Sequence, residues 1–246
     1  MTEAPVPGPV PRYELPEWRE IGVVAGITGR GPDRARPFDL GLAGEATPVG
    51  RVMDCWNALL ESLPEFQGTV VSRQVHGKEV RWQHPARGLV IQQGSDGHMT
   101  AAPGLLLAVT VADCIPVYLV DPETRVIALL HAGWRGVANG ILERAIYLFQ
   151  QGAARVDSIL LHCGVGICGT CYQVGSEVME ACGVEARTGE KNHLDLRGTL
   201  VDQARAAGVV HISTSQFCSQ HDSELFFSHR GSGGKDGRQV AYLGLL

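Results

Sequence analysis

The segment that most constrains the fold of this chain runs from Val111 to Gly136 and reads VADCIPVYLVDPETRVIALLHAGWRG. Two apolar runs, Ile115–Val120 and Arg125–Leu130, flank the turn-forming sequence DPET and predict a pair of antiparallel strands. Cys114 precedes the first run and His131 follows the second, so a hairpin places both side chains at the same end of a sheet. A thiolate and an imidazole at that position form either half of a metal site or a nucleophile with its base.

A third candidate residue lies upstream, at the end of another strand-like segment. This segment, TVVSRQVH, covers Thr69–His76, and its last residue is followed by Gly77. His76, Cys114 and His131 are separated by 38 and 17 residues, which are non-local spacings, so the fold has to assemble them. Zinc sites with three protein ligands keep one position open and are typical of catalysis rather than of zinc fingers. The trio therefore predicts a catalytic metal centre.

Composition argues against several classes of function. The net charge of -5 and the lack of a basic run argue against binding to a nucleic-acid backbone. Neither a leader sequence nor an apolar run of about 18 residues is present, so we expect no membrane association. Seven cysteines without an evenly spaced framework favour a reducing compartment. We expect a cytoplasmic protein, and its oligomeric state stays open.

The 246 residues, 44% of them apolar, are sufficient for one large domain. Residues 1–19 contain the Pro-rich sequence EAPVPGPVPRYELPE, which we expect to form an irregular arm. Residues 20–246 are expected to form a single catalytic domain, because no linker divides them. Neighbouring strands with helices between them predict an α+β fold of stacked layers rather than a regular βαβ sheet. We further expect a long helix over Gly136–Phe149 and a strand over Leu225–Ser228.

The segment Gly164–Gly169 matches the G-x-G-x-x-G pattern of dinucleotide-binding loops. No second strand ends in an acidic residue about 20 positions later, so we expect these glycines instead to let the backbone approach another segment closely. Cys168 and Cys171 form a C-x-x-C pair, which is found in redox and metal sites. Because no second C-x-x-C completes a structural zinc site, we expect this pair to pack in the core or to support the trio.

Two sequence features are candidates for anion binding. The sequence HAGWRG leads into the predicted helix over Gly136–Phe149, whose free N–H groups can hold an anion. Arg230 and Arg238 flank the Gly-rich sequence GSGGKDG, which could close over a phosphate. A solvated loop is the alternative interpretation of this second feature.

Five motifs of the chain occur in the order and spacing of a known family: QVHG, ADCIPVYLVDP, HAGWRG, GVGICGTCYQVGSEV and FFSHRGSGGKDGR. They resemble those of the laccase-domain family, also called polyphenol oxidases, multifunctional purine nucleoside phosphorylases or peptidoglycan editing factors. The resemblance extends from about Gly22 to the C-terminus. It implies a four-layer α/β/β/α sandwich with mixed sheets, related to cysteine hydrolase-like toxin domains.

The same resemblance implies that His76, Cys114 and His131 are both the metal ligands and the catalytic centre. The implied cofactor is Zn²⁺, with copper as the alternative. Family members are purine nucleoside enzymes, so the implied reactions are phosphorolysis of adenosine, inosine and methylthioadenosine, and deamination of adenosine. The expected small-molecule partners are therefore purine nucleosides and phosphate.

Four further residues are candidates around this centre. Asp113, next to Cys114, is a candidate catalytic group that handles protons or supports the centre. Gln74, two residues before His76, is a candidate for the same roles and for binding substrate or phosphate. A buried structural role for Asp113 is an equal alternative. Arg30 and Arg230 are candidates for phosphate or substrate binding, because cations stabilise the charged transition state of phosphorolysis. The loops around both arginines, TGR and SHRG, depart from the family pattern.

Two other functions stay open. A copper-dependent polyphenol oxidase could use a His-Cys-His cluster, although reduction of oxygen needs several coppers and the sequence lacks the many H-x-H pairs that bind them. A Cys-His hydrolase acting on peptidoglycan precursors would instead use Cys114 as the nucleophile and His131 as its base.

Overall fold

A computed structural model describes residues 2–42, 47–187 and 191–246. The strands in these ranges are β1 (Ala4–Val6), β2 (Arg12–Glu14), β3 (Val23–Thr28), β4 (Gly68–Arg73), β5 (Val80–Trp82), β6 (Gly88–Gln93), β7 (Gly97–Thr100), β8 (Leu105–Val111), β9 (Ile115–Asp121), β10 (Val126–Ala132), β11 (Leu160–Cys163), β12 (Gln173–Val174), β13 (Asn192–His193), β14 (His211–Thr214) and β15 (Gln239–Leu245). The helices are α1 (Pro16–Arg19), α2 (Val49–Glu61), α3 (Trp134–Ala138), α4 (Ile141–Gln151), α5 (Ser176–Ala181) and α6 (Leu196–Ala206), with a short 3₁₀ turn at Val156–Ser158. None of the helices in the described ranges is long and apolar enough to cross a membrane.

The strands form two large mixed sheets. The first sheet has the order β1-β2-β3-β15-β8-β4-β6 and the second has the order β14-β11-β9-β10-β7-β5. In the first, β4 is parallel to β6 and β8, whereas β15 is antiparallel to β3 and β8. In the second, β9 and β10 form the predicted hairpin, with His131 opposite Pro116 and Ala132 opposite Ile115. This register places the end of β10 beside Cys114.

Alternating side chains assign the faces of the sheets. Strand β8 directs Leu105, Leu107 and Val109 into the core between the sheets, and Leu106 and Ala108 into the core beneath α2. Strands β9 and β10 alternate in the same way between the inter-sheet core and the core beneath α4 and α6. A period of two on both faces is the pattern of a strand that is covered on both sides. The predicted α+β class and the four-layer α/β/β/α sandwich are confirmed.

The described residues 2–19 include two strands and a short helix, so the expectation of an irregular arm is wrong. Strands β1 and β2 extend the first sheet, and Leu15 and Trp18 are buried in the inter-sheet core. Pro5 is accommodated in β1 because an edge strand has one side without ladder partners. The Glu3 carboxylate lies 3.1 Å from Nε2 of His162 on β11, so the N-terminus also contacts the second sheet.

Two other predicted elements differ from the structure. The helix expected over Gly136–Phe149 is divided into α3 and α4, because Gly140 adopts a left-handed φ of 84° between them. The strand expected over Leu225–Ser228 is a turn segment. There the side chain of Gln239 replaces a neighbouring strand, since its amide group bonds to the backbone N–H and C=O of Phe227 at 2.6 and 3.2 Å.

The role predicted for the Gly164–Gly169 glycines is confirmed. A Cβ atom at Gly166 would lie 2.4 Å from Cδ1 of Ile115 and 2.8 Å from the backbone oxygen of Asp113. A side chain there would push the segment away from the start of β9. These glycines therefore allow the loop after β11 to pass directly under the region of Cys114.

Candidate metal centre

The structure brings His76, Cys114 and His131 together where the two sheets meet. His76 follows β4 of the first sheet, Cys114 lies in the short connection from β8 to β9, and His131 lies near the end of β10. Their ligand atoms all lie within 4.8 Å of one another, and the two imidazole rings meet edge to face with centroids 4.9 Å apart. His131 is buried, Cys114 is half-buried and His76 is exposed. Solvent therefore contacts the trio mainly at His76.

Backbone geometry at the trio departs from ordinary strand geometry. His76 has a φ of 59° and Asp113, next to Cys114, has a φ of 87°. Non-glycine residues in this left-handed region are uncommon, and they concentrate at functional sites. Gly133 packs directly on the cluster, since a Cβ atom there would lie 3.0 Å from Sγ of Cys114 and 3.2 Å from Cδ2 of His76. The space beside these two side chains is kept open by the absence of a side chain.

Asp96, which is not among the residues predicted from the sequence, organises two of the three candidate ligands. Its fully buried carboxylate accepts hydrogen bonds from the backbone N–H groups of Val75, His76 and Gly77 at 2.8–3.1 Å. It also lies 2.9 Å from Nδ1 of His131. Because Nδ1 is engaged there, Nε2 is the ring nitrogen that is left to face the cluster. Asp96 lies in the turn-like sequence GSDG, which does not indicate a buried carboxylate.

The charges of the trio are strongly coupled. Burial alone would raise the pKa of the Cys114 thiol. The charge and hydrogen bonds of His131 and His76 outweigh burial and lower this pKa to about 6. Burial lowers the pKa of His131, but the Cys114 thiolate and the hydrogen bond to Asp96 raise it, to about 9. Burial likewise raises the pKa of Asp96, and hydrogen bonds from His131 and Gly77 lower it below its usual value. Without a metal, the site thus holds a thiolate–imidazolium pair near neutral pH.

The side chains of Asp113 and Gln74 both form hydrogen bonds to other groups of the protein. The Asp113 carboxylate accepts from Oγ of Ser219 at 2.6 Å, from Oγ of Ser228 at 2.7 Å and from the backbone N–H of Arg230 at 2.6 Å. These contacts favour the structural alternative for Asp113 over proton transfer. Gln74 forms hydrogen bonds of 2.8–2.9 Å to the backbone and hydroxyl of Thr110, which join the ends of β4 and β8.

The two predicted phosphate-binding arginines lie in different places. Arg30 forms an ion pair of 2.9 Å with Asp236, donates to the backbone oxygen of Ser223 and stacks over Phe227. It does not line the cavity at the trio, so it lies outside the candidate site. Arg230 does line this cavity, where it donates to the backbone oxygen of Gln173 at 2.6 Å.

A cavity of about 820 Å³ opens over the trio. Its size lies within the range of about 300–1,000 Å³ that is common for small-molecule sites. Four arginines line it, namely Arg73, Arg135, Arg230 and Arg238. Among the described lining residues, Asp113 is the single carboxylate, and its oxygens accept from protein donors. The aromatic rings of Trp134 and Tyr172 also face the cavity. The arrangement suits an anionic group next to a flat apolar one.

Of the two roles expected for the C-x-x-C pair, packing in the core is wrong. Cys168 and Cys171 are partly exposed, so they do not pack in the core, and they belong to a separate cluster with Cys218 and His221. The partner of the C-x-x-C in this cluster is the C-x-x-H at 218–221 rather than a second C-x-x-C, which is why the sequence pattern did not predict it. All seven cysteines of the chain are free thiols, and each lies within the described residues.

Comparison with known proteins gives a match over most of the chain. A family model described as "Multi-copper polyphenol oxidoreductase laccase" matches residues 38–246. A protein from Deinococcus radiodurans named purine nucleoside phosphorylase is 39% identical over 180 residues, which are 70% of this chain and 68% of that protein. A protein named adenosine deaminase RL5, from an unknown prokaryotic organism, is 35% identical over 59% of this chain and 60% of its own length.

A further relative is similar in both sequence and structure. The purine nucleoside phosphorylase YlmD of Geobacillus stearothermophilus is 32% identical over an alignment that covers 91% of this chain and 90% of that protein. The crystal structure of YlmD from this organism superimposes with a TM-score of 0.86, at 29% identity, over 99% of each chain. The layered fold is thus shared over essentially the whole length.

Proposed function

The chain belongs to the multi-copper polyphenol oxidoreductase laccase family, and from this premise we propose that it is a zinc-dependent purine nucleoside enzyme. Its proposed reactions are phosphorolysis of adenosine, inosine and methylthioadenosine, and hydrolytic deamination of adenosine. The names of its relatives, purine nucleoside phosphorylase and adenosine deaminase, support both reactions. In the first, phosphate replaces the base at the sugar carbon, which gives free base and ribose 1-phosphate from adenosine or inosine, or 5-methylthioribose 1-phosphate from methylthioadenosine. In the second, water and adenosine give inosine and ammonia.

One observation carries the proposal: a cluster of two imidazoles and one thiol lies in a cavity that is rich in arginine. The cluster supplies the metal ligands, and the arginines supply the cations that an incoming phosphate needs. Tyr172 and Trp134 provide aromatic surface for the base. Four arginines line the cavity, and its one carboxylate, Asp113, already accepts hydrogen bonds from the protein. This excess of positive charge favours an anionic substrate over an uncharged one.

The donor set fits a zinc ion. Two imidazole nitrogens and one thiolate are ligands that zinc prefers, and three protein ligands leave a position open for chemistry. The contact between Asp96 and Nδ1 of His131 is the kind of outer hydrogen bond that orients metal-binding histidines. When bound, zinc supplies a Lewis acid that makes a nearby water more acidic and offsets developing negative charge.

The side chains of the protein have the following proposed roles. His76, Cys114 and His131 hold the ion, and Asp96 keeps the loop of His76 and the ring of His131 in position. Arg230 holds the phosphate near the trio. Because its guanidinium also donates to the Gln173 backbone and stacks on Tyr172 with a separation of 5.0 Å, its position is fixed before substrate binds.

A second candidate function is favoured by a specific contact. Cys114, His131 and Asp96 are arranged as nucleophile, base and orienting carboxylate, and the low pKa of Cys114, about 6, makes its thiolate available near neutral pH in the absence of metal. This arrangement suits a Cys-His hydrolase acting on peptidoglycan precursors or other amides. The two functions differ in whether the thiolate binds metal or attacks the substrate.

The test is metal analysis of the purified protein, followed by incubation with adenosine in the presence and absence of phosphate. We expect ribose 1-phosphate and free base only with phosphate, and inosine and ammonia in either condition. Cys114→Ala should abolish both activities, whereas Cys55→Ala, which changes a half-buried cysteine of α2 outside the site, should retain them. Failure of the zinc-loaded protein to convert any purine nucleoside would contradict the proposal. Activity with copper but not with zinc would assign copper as the metal.

A further inference from the structure

A second group of metal-binding side chains lies outside the cavity. Cys168 and Cys171 lie in the loop that follows β11, and Cys218 and His221 lie in the loop that follows β14. These loops leave neighbouring strands, because β11 and β14 are parallel partners in the second sheet. The fold thus brings a C-x-x-C turn and a C-x-x-H turn to the same end of the sheet.

The four side chains converge on one point. One ligand atom from each residue lies within 4.8 Å of all the others. Sγ of Cys171 is 3.1 Å from Nε2 of His221, and Sγ of Cys168 is 3.7 Å from Nδ1 of the same ring. Ligands at about 2.3 Å from a tetrahedral zinc stand about 3.8 Å apart, so only small side-chain movements would bring these four atoms to that spacing.

The backbone around the cluster is already folded as two closed turns. In the first, the N–H groups of Cys171 and Tyr172 both donate to the backbone oxygen of Cys168 at 3.1 Å. In the second, the Asp222 carboxylate accepts from the backbone N–H of Cys218 at 2.8 Å. The two turns are joined directly, because the N–H of Cys168 points to Sγ of Cys218 at 3.3 Å. An N–H directed at a cysteine sulfur stabilises the thiolate form that a metal requires.

We propose that Cys168, Cys171, Cys218 and His221 bind a structural zinc ion that is separate from the ion held by His76, Cys114 and His131. Three thiolates and one imidazole make up a Cys₃His set, which is among the donor sets of closed, four-coordinate zinc sites. Four protein ligands leave no open position, so this ion has no part in binding substrate. The softness of three thiolates favours zinc over magnesium, calcium or manganese.

This ion would stabilise one wall of the cavity. Tyr172, which lines the cavity and lies under Arg230, is the residue directly after Cys171. Ser219, directly after Cys218, donates to the Asp113 carboxylate at 2.6 Å. Asp113 is in turn adjacent to Cys114. Fixing the two metal-binding turns therefore fixes one wall of the cavity and the segment that positions the Cys114 thiolate.

The experiment is to count zinc ions per chain in the full-length protein by elemental mass spectrometry. We expect two ions in the wild type, one in Cys114→Ala, and one in each of His221→Ala and Cys171→Ser. His221 is exposed and Cys171 is partly exposed, so neither substitution leaves a cavity in the core. Cys55→Ser is the matched control, and it should retain both ions.

Replacement of zinc by cobalt(II) identifies the donor set without measuring activity. The ion that remains in Cys114→Ala should give the strong thiolate charge-transfer absorption of a three-sulfur site, and the ion that remains in His221→Ala should give the weaker absorption of a one-sulfur site. One zinc per chain in the wild type, lost completely in Cys114→Ala, would overturn the proposal. A disulfide between Cys168 and Cys171 in protein purified without oxidant would overturn it as well. Because these measurements do not depend on turnover, they stand apart from the test of the nucleoside activity.

Discussion

The carboxylate of Asp96 lies 2.9 Å from Nδ1 of His131, and the same carboxylate receives the backbone N–H of His76. One buried side chain therefore fixes a histidine ring on the second sheet and the loop of a histidine that follows the first sheet. Asp96 is a positioning residue, because it acts on the reaction through the two histidines.

Asp96→Asn should weaken zinc binding at the trio by about 10- to 100-fold, the usual effect of losing a hydrogen bond to a metal-binding histidine. The substitution places an N–H₂ group where only donors converge, so the histidines lose their orientation. Titration with a competing chelator measures the affinity. Asp121→Asn is the control, because Asp121 is equally buried but lies at the end of the β9–β10 hairpin that is opposite to His131. Equal zinc affinity in Asp96→Asn and the wild type would show that the histidines are positioned without this carboxylate.

Gly133→Ala should reduce metal content at the trio while leaving the fold intact. Its φ of −79° suits alanine, so the effect comes from the new methyl group, which would lie 3.0 Å from Sγ of Cys114 and 3.2 Å from the His76 ring. Gly50→Ala is a matched control, because a Cβ atom there meets nothing within 4 Å. Thermal unfolding of both variants measures any loss of stability, and metal analysis measures the loss of zinc. A Gly133→Ala protein with wild-type zinc content and activity would mean that the space beside Cys114 is not used.

Cys114→Ala should lower the zinc content by one ion per chain and abolish turnover. The thiolate is the one anionic ligand of the trio, so its removal takes away both a bond and the charge that attracts the cation. Cys182→Ala changes a buried cysteine outside both clusters and should keep the full metal content. Zinc content that does not fall in Cys114→Ala would exclude Cys114 as a ligand.

The reactivity of Cys114 distinguishes a metal ligand from a nucleophile. In the zinc-loaded protein, the thiolate should resist alkylation. After chelation, the rate should rise as pH increases through about 6, because above that pH the thiol is ionised, and then level off. Burial raises the pKa of Cys55, so its labelling should keep rising at higher pH. Stoichiometric labelling of Cys114 with zinc still bound would favour the Cys-His hydrolase instead.

Arg230→Ala should weaken phosphorolysis much more than deamination, because only phosphorolysis uses phosphate. Losing one charge-assisted contact costs about 1.5–3 kcal/mol, which corresponds to roughly 10- to 150-fold in phosphate-dependent rate. Arg155→Ala is the control, since its exposed ion pair with Asp157 lies outside the cavity and contributes little to stability. Both reactions are measured on each variant. Equal losses of the two activities in Arg230→Ala would mean that Arg230 supports the cavity wall and that phosphate is held by another of the lining arginines.

Local sequence patterns determine several structural features of this protein. The apolar runs around DPET predicted the β9–β10 hairpin, and the hairpin register alone places Cys114 and His131 at one end. The Gly164–Gly169 glycines predicted a close backbone approach, which Gly166 shows. These features are readable from sequence because alternation, turn residues and the lack of a side chain act over a few neighbouring residues. The Pro-rich composition of residues 1–19 predicted an irregular arm, and this prediction is wrong. Edge pairing of β1 and burial of Trp18 override the local preference of proline.

Tertiary structure alone decided which polar residues meet. Asp96 and His131 are far apart in sequence, and Asp96 lies in a turn-like segment, yet its carboxylate is fully buried. Arg30 and Arg230 look alike in sequence, but the ion pair with Asp236 holds Arg30 outside the cavity, whereas Arg230 lines it. Cys168 and His221 meet because β11 and β14 run parallel and end together. Such contacts depend on the packing of two sheets and on the directions in which loops leave them, and no local propensity encodes either.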